Sequence, residues 1–163
     1  MLQSICAIKR CLLVVLFLMI TNNYARPYII GVDVSWIQEE EYAGVKYFHN
    51  GVEKEIFTLL KDHGINFIRY RTFVDPCGSE GYSRMTYNRA PGKECWCDLP
   101  HTISFGKRVK AAGMGFLLDF HMSDTWASIG VQKVPSSWAG LNDTDMRNAA
   151  YNHVKNTIES LIE

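Results

Sequence analysis

The chain has 163 residues, enough for one modest domain with a real core. Lys plus Arg and Asp plus Glu number 17 each, so the formal net charge is zero. That balance excludes a basic nucleic-acid-binding stripe and an acidic solvating tail. Aromatic residues make up 12% of the chain and include four Trp, a supply that suits flat, amphipathic ligands such as sugars as well as a packed core.

Taken in order, the chain begins with Lys9 and Arg10 ahead of an apolar run over 12–20, followed by Thr21, Asn22, Asn23, Tyr24 and Ala25. This is the layout of a secretory signal, residues 1–25, with cleavage near Ala25 and a mature chain from residue 26. The run is short for a bilayer span, so no membrane association is expected after cleavage; the alternative is an uncleaved anchor, since the cleavage site is not well formed. Export implies an oxidising compartment and a secreted, extracellular product. Cys6 and Cys11 leave with the signal. Cys77, Cys95 and Cys97 remain in one loop, so one internal bridge is expected, from Cys77 to either Cys95 or Cys97. His101 is the one nearby candidate for a fourth zinc ligand, but the spacing matches no familiar zinc pattern, and no metal or cofactor is expected.

Residues 28–34 (YIIGVDV) read as a first strand, with Gly31, Asp33 and Ser35 on one face and Trp36 at its end. Glu39, Glu40 and Glu41 read as a solvated loop or short helix. The spacing of Val52, Ile56, Leu59, Leu60 and His63 predicts a helix over 52–63, stopped by Gly64. Residues 66–73 (NFIRYRTF) form a second strand, with Arg69 and Arg71 on one face. The connection over 75–98 is longer than about 12–15 residues, which points to a functional loop. Asp98 is a suitable N-cap for a helix over 99–112, with Pro100 in its first turn. Residues 115–126 (GFLLDFHMSDTW) form a buried strand that ends in a cluster of polar groups. Leu117, Asp119 and His121 share one of its faces. After a loop over 128–142, a last helix starts near Asp143 or Thr144, with Met146, Ala150, Val154, Ile158 and Leu161 as its stripe. Asn142, Asp143 and Thr144 form an N-glycosylation sequon.

The grammar of helix end, glycine stop, short turn and apolar strand occurs twice, at Lys61, Gly64 and Phe67 and again at Lys110, Gly113 and Phe116. Strands alternate with helices, which means a parallel α/β sheet. All three strands place ionisable residues on one face near their carboxyl ends. A doubly wound sheet would need an apolar face there, whereas a (β/α)8 barrel turns polar at its mouth. The pattern therefore predicts a partial TIM barrel, about the first three βα units.

The same residues carry a family resemblance. GVDVS at 31–35, GINFIRYR at 64–71, KAAGM at 110–114 and LDFHMSDTWA at 118–127 resemble glycoside hydrolase family 53, the secreted endo-β-1,4-galactanases that cut arabinogalactan. The resemblance runs from about residue 28 to residue 163. One departure is Asp75 before Pro76, where the family commonly has Asn. The resemblance implies a retaining mechanism with two glutamates about 5–5.5 Å apart. In that family they follow the fourth and seventh strands. None of the Glu residues of this chain lies at the carboxyl end of an expected strand, so no catalytic residue is assigned. The chain is expected to be an incomplete piece without hydrolytic activity of its own.

What the resemblance implies for these residues is a sugar site. Arg71 would lie under the nucleophile and favour its ionised form. His121 would line the site. Asp33, Asp124, Trp36 and Trp126 would contact substrate, and Arg69 and Asp119 would form an internal ion pair. The expected partner is a β-1,4-galactan polysaccharide. The alternatives are a non-catalytic secreted remnant that still binds galactan through Trp36 and Trp126, and a misfolded truncated product.

Overall fold

The computed structural model describes residues 28–85 and 95–162. The expected signal over 1–25 lies outside the described residues, as does the segment 86–94 of the long connection. In chain order the elements are β1 (Gly31–Asp33), α1 (Ile37–Tyr42), β2 (Phe48–His49), β3 (Val52–Glu53), α2 (Ile56–Asp62), β4 (Phe67–Thr72), α3 (Tyr82–Met85), α4 (Leu99–Ala111), β5 (Gly115–Phe120) and α5 (Asp143–Ile162). A 3-10 turn at Ser136–Trp138 precedes α5.

β1, β4 and β5 form one parallel sheet in that spatial order. Each strand lies beside its successor, with no reversal of direction across the sheet. A doubly wound fold reverses at a switch point, whereas a barrel does not. The register pairs Asp33 with Arg69, Arg69 with Leu117, and Arg71 with Asp119. Alternation then puts Asp33, Arg69, Arg71, Leu117 and Asp119 on one face.

The opposite face is the core. Ile68 and Tyr70 are fully buried there. Tyr70 stacks on Phe105 of α4 at 4.2 Å between centroids, and Phe57 of α2 meets Phe105 edge-on at 5.4 Å. Val109 and Thr102 complete the buried face of α4. Each fully buried aliphatic or aromatic side chain contributes about 1.5–3 kcal/mol. The strongly apolar outer face is therefore what holds the sheet to its helices.

Three local expectations change. The helix expected over 52–63 begins only at Ile56. Asn50 and Gly51 both have positive φ (51° and 77°), and they turn the chain between β2 and β3. An Asn-Gly pair is the preferred two-residue hairpin turn, so Val52 pairs with His49 and is 60% exposed. Glu55 then caps α2 by accepting from the Thr58 amide. In α5 the buried residue is Thr157, and Ile158 is exposed. The acidic run 39–41 takes the short-helix alternative, α1, but it is not simply solvated. Glu41 takes a two-pronged pair from Arg108 of α4, at 2.6 and 2.9 Å.

The connection after β4 is tightly built on either side of segment 86–94. Asp75 Oδ1 accepts the amides of Cys77 and Gly78, an Asx turn in which the carboxylate does what an Asn carbonyl would do. Cys77 bridges Cys95, which resolves the pairing left open by the sequence. Cys97 is a free, fully buried thiol, and burial pushes its pKa up to about 12. Its carbonyl accepts from the Phe73 amide and the Thr72 hydroxyl. At Gly81 an added Cβ would sit 2.3 Å from the Pro76 carbonyl oxygen, a backbone atom that cannot move aside. Gly81→Ala is expected to cost about 1–3 kcal/mol in urea unfolding. An unchanged midpoint would show that the turn has room for a side chain after all.

Candidate functional site

Polar residues from all three strands meet on the inner face. Arg69 lies at the centre. Its guanidinium bonds Asp33 of β1 on one side and Asp119 of β5 on the other. Asp119 also meets His121 Nε2 at 2.9 Å. Asp33 is fixed further by the Ser35 amide and hydroxyl, at 3.1 and 2.6 Å. Ser35 Oγ in turn accepts from the Arg71 amide at 3.0 Å, tying the loop after β1 to β4.

A second layer lies nearer the carboxyl ends. Arg71 is 1% exposed, and its guanidinium carbon lies 4.4 Å from the Trp36 ring centroid and 4.1 Å from that of Trp126. The two indoles are 6.4 Å apart, and each remains about two-fifths exposed, at 38% and 40%. They shield the cation on one side and offer ring surface to solvent on the other. Such a desolvated cation–π contact is worth about 2 kcal/mol. Phe73 and Tyr82 stack beneath Trp126, and His121 meets Phe73 edge-on at 5.2 Å.

Arg71 donates to the Tyr82 hydroxyl at 3.1 Å, and that hydroxyl donates to Glu39 Oε1 at 2.7 Å. Glu39 and Tyr82 therefore belong to the site, although the sequence marks neither as a member. Their contact spans 43 residues of sequence and follows no periodic pattern. Arg71 Nε and His121 Nδ1 are buried and have no hydrogen-bond partner among the described residues.

Asp124 is 4% exposed. One carboxylate oxygen accepts the Asp75 amide and the other the Ser136 amide, at 3.1 and 2.7 Å. It thus ties the Trp126 loop to the loop after β4 and to the turn before α5. Of the six residues expected at the site, Asp33, Trp36, His121 and Trp126 are brought together around Arg71, which is buried against the two indoles, and Asp124 is buried with its oxygens on two backbone amides. The Arg69–Asp119 ion pair is present, and it extends to Asp33. The candidate zinc ligand His101 instead meets the Asp98 carboxylate at 2.6 Å, next to the α4 N-cap.

Two carboxyls of this network, Asp33 and Glu39, respond oppositely to pH. Burial alone would raise the Asp33 pKa. The Ser35 hydroxyl and amide, and then Arg69, outweigh that and hold it below the ordinary value. Its contribution to stability is present above the unfolded-state pKa and is lost as pH falls through the lowered folded value. For Glu39 burial dominates, and it raises the pKa despite the Tyr82 hydrogen bond and Arg71. The folded state then holds that proton more tightly than the unfolded state, so stability falls as pH rises through the raised value. Glu39→Gln keeps an acceptor for Tyr82 and removes the titration. Urea unfolding from about pH 4 to about pH 7 should show a smaller decline in the variant than in the parent. Identical slopes would refute the assignment.

The comparisons with known proteins agree with this geometry. Residues 29–163 match the family model described as Glycosyl hydrolase family 53. The chain is 34% identical over 149 residues to the endo-β-1,4-galactanase of Bacillus subtilis (strain 168), covering 91% of this chain and 33% of that protein. It is 35% identical over 132 residues to the arabinogalactan endo-β-1,4-galactanase of Humicola insolens, covering 80% and 34%. Among solved structures, a chain from a study of two fungal β-1,4-galactanases superposes with a TM-score of 0.66 at 31% identity, covering 81% of this chain and 35% of that one. The GH53 catalytic domain of Ignisphaera aggregans also gives 0.66, at 35% identity, with 85% and 38% covered. The chain thus spans about a third of the length of these relatives, and its three βα units are part of a TIM barrel. With the match over residues 29–163 and three strands converging on one polar inner face, this chain belongs to glycosyl hydrolase family 53.

Proposed function

We propose that these residues form the amino-terminal part of a secreted endo-β-1,4-galactanase and supply one wall of its substrate groove. The observation that carries this reading is the pair of half-exposed indoles, Trp36 and Trp126, seated on a buried arginine at the carboxyl ends of the strands. Active sites of barrels lie at that end. A pyranose ring presents an apolar C–H face that stacks on an indole, while its hydroxyls take hydrogen bonds from the groups beside it. Trp126 and Trp36 are the stacking surface in this reading. His121 lines the groove and helps to orient a hydroxyl or a carboxylate. Asp33 keeps one lone pair, on Oδ2, for a hydroxyl after serving Ser35 and Arg69. Asp124 acts from behind by holding the Trp126 loop. Arg71 favours the ionised form of a carboxylate placed over it.

Retaining hydrolysis needs an acid/base and a nucleophile on either side of the scissile bond. Glu39 is the glutamate bonded into this surface, and it is occupied with Tyr82 behind Arg71. These three βα units by themselves therefore bind β-1,4-galactan without cleaving it. On a galactan affinity gel the purified chain should be retarded, and incubation with galactan should release no reducing ends. Trp126→Ala should weaken retention by about tenfold. Release of reducing sugar by the purified chain would overturn the non-catalytic part of this reading. Mobility identical to an inert protein of the same size would overturn the sugar site.

A further inference from the structure

We propose that Asn142 carries an N-linked oligosaccharide, and that it is attached before α5 forms. The proposal rests on the export part of the reading above and is independent of the sugar site. Asn142, Asp143 and Thr144 form an acceptor sequon, and all three are exposed. The Cys77–Cys95 bridge is independent support for an oxidising compartment, where such transfer takes place.

The local geometry suits a glycan on the folded chain. Asn142 stands immediately before α5 as its cap. Its Oδ1 accepts the amides of Thr144 and Asp145 at 2.9 and 3.0 Å. The sugar goes on the other atom, Nδ2, so the cap survives the modification. The donor is an oligosaccharide linked to a lipid through pyrophosphate. The bond from Nδ2 to the anomeric carbon forms, the anomeric carbon–phosphate oxygen bond breaks, the lipid pyrophosphate leaves, and Nδ2 loses one proton.

The same geometry sets the order of events. In the folded chain Nδ2 donates to Asp145 Oδ2 at 2.8 Å, while Oδ1 is held by two amides. These bonds fix the amide plane against the first turn of the helix. Transfer needs that nitrogen released and the segment extended, which the chain offers only before α5 closes.

The test translates the full chain with microsomes, once on its own amino terminus and once behind the leader of an unrelated secreted protein. Protease-protected chains should carry a mass increment at Asn142 that peptide N-glycosidase removes. Thr144→Ala should abolish it, and that variant leaves the cap intact because Thr144 contributes only its backbone amide. Thr144→Ser should retain it. Modification only behind the borrowed leader would uphold the sequon and refute the export reading. Protected chains without the increment in either form would overturn the proposal. Purified chain, folded and oxidised, should be a poor acceptor for the transferase, and the same chain reduced and unfolded a good one. Equal acceptance would overturn the order of events.

Discussion

Arg71→Leu should destabilise the chain by about 3 kcal/mol or more, the largest effect expected of any single change on the inner face. Arg71 is 1% exposed, yet it carries a full charge on a face that also holds Trp36, Trp126 and Tyr82. Nearly everything around it is arranged to make that burial tolerable. Two indoles present their negative faces to the guanidinium. The Tyr82 hydroxyl accepts from it and passes a hydrogen bond on to Glu39. Removing the cation leaves a half-buried carboxylate without its compensating charge and two indoles without a floor. Breaking a buried charge arrangement on one side costs about 3–5 kcal/mol. Glu39 can relieve part of that by taking up a proton, which its raised pKa makes easy. The lower end of the range is therefore expected. Arg71→Lys restores charge but not the flat plate that both indoles contact, so it should fall between the two. Urea unfolding of the three proteins decides this. A loss under about 1 kcal/mol for the leucine variant would mean that the cage contributes nothing to the fold.

The paired change Cys77→Ser with Cys95→Ser should cost about 3 kcal/mol. The bridge closes a sequence separation of 18 residues. In the chain-entropy account a closed loop of that size removes roughly this much freedom from the unfolded state. The structural cost would fall on the connection it closes. That connection positions Tyr82, whose amide donates to the Asp124 carbonyl and whose ring stacks on Phe73. Loosening it should therefore expose Arg71 as well as lower stability. The double variant is the right test because it leaves only the buried Cys97 in this region. Thermal unfolding with limited proteolysis gives the readout. A midpoint equal to that of the parent would contradict the role assigned to the bridge.

Much of this architecture is legible in the sequence, and the reasons are physical. A strand repeats every two residues, so Arg69 and Arg71, or Leu117, Asp119 and His121, must share a face. Helix ends carry glycine stops at Gly64 and Gly113, both with positive φ. The partnership of Arg69 with Asp119 is what the family resemblance implies; the register sets Asp119 beside Arg71, and Arg69 reaches it diagonally across the strand pair. What stays hidden is set by contacts between distant segments. Tyr82 opens the one-turn helix α3 inside the long connection and becomes part of the site only because the Asp75 turn and Asp124 bring it there. Glu39 and Glu41 look alike as neighbours in an acidic run, yet one faces Tyr82 and the other pairs with Arg108, 67 residues away. The resemblance implies a substrate contact for Asp124, and what the sequence does not show is that its oxygens accept two backbone amides from distant loops. The hairpin at Asn50 and Gly51 is a different kind of miss. Its dipeptide signal is present, and the helical spacing of Val52 with Ile56 and Leu59 masks it.

The proposed function rests on a sugar chain lying across Trp36 and Trp126. The four Trp indole N–H resonances report on different parts of the molecule. Trp36 and Trp126 lie on Arg71, Trp96 packs against Tyr42 and His101, and Trp138 is buried beside His153. Titration with a β-1,4-linked galacto-oligosaccharide, followed by NMR, should shift the Trp36 and Trp126 signals saturably and leave the other two in place. A well-folded chain whose Trp36 and Trp126 signals stay fixed throughout the titration would contradict it.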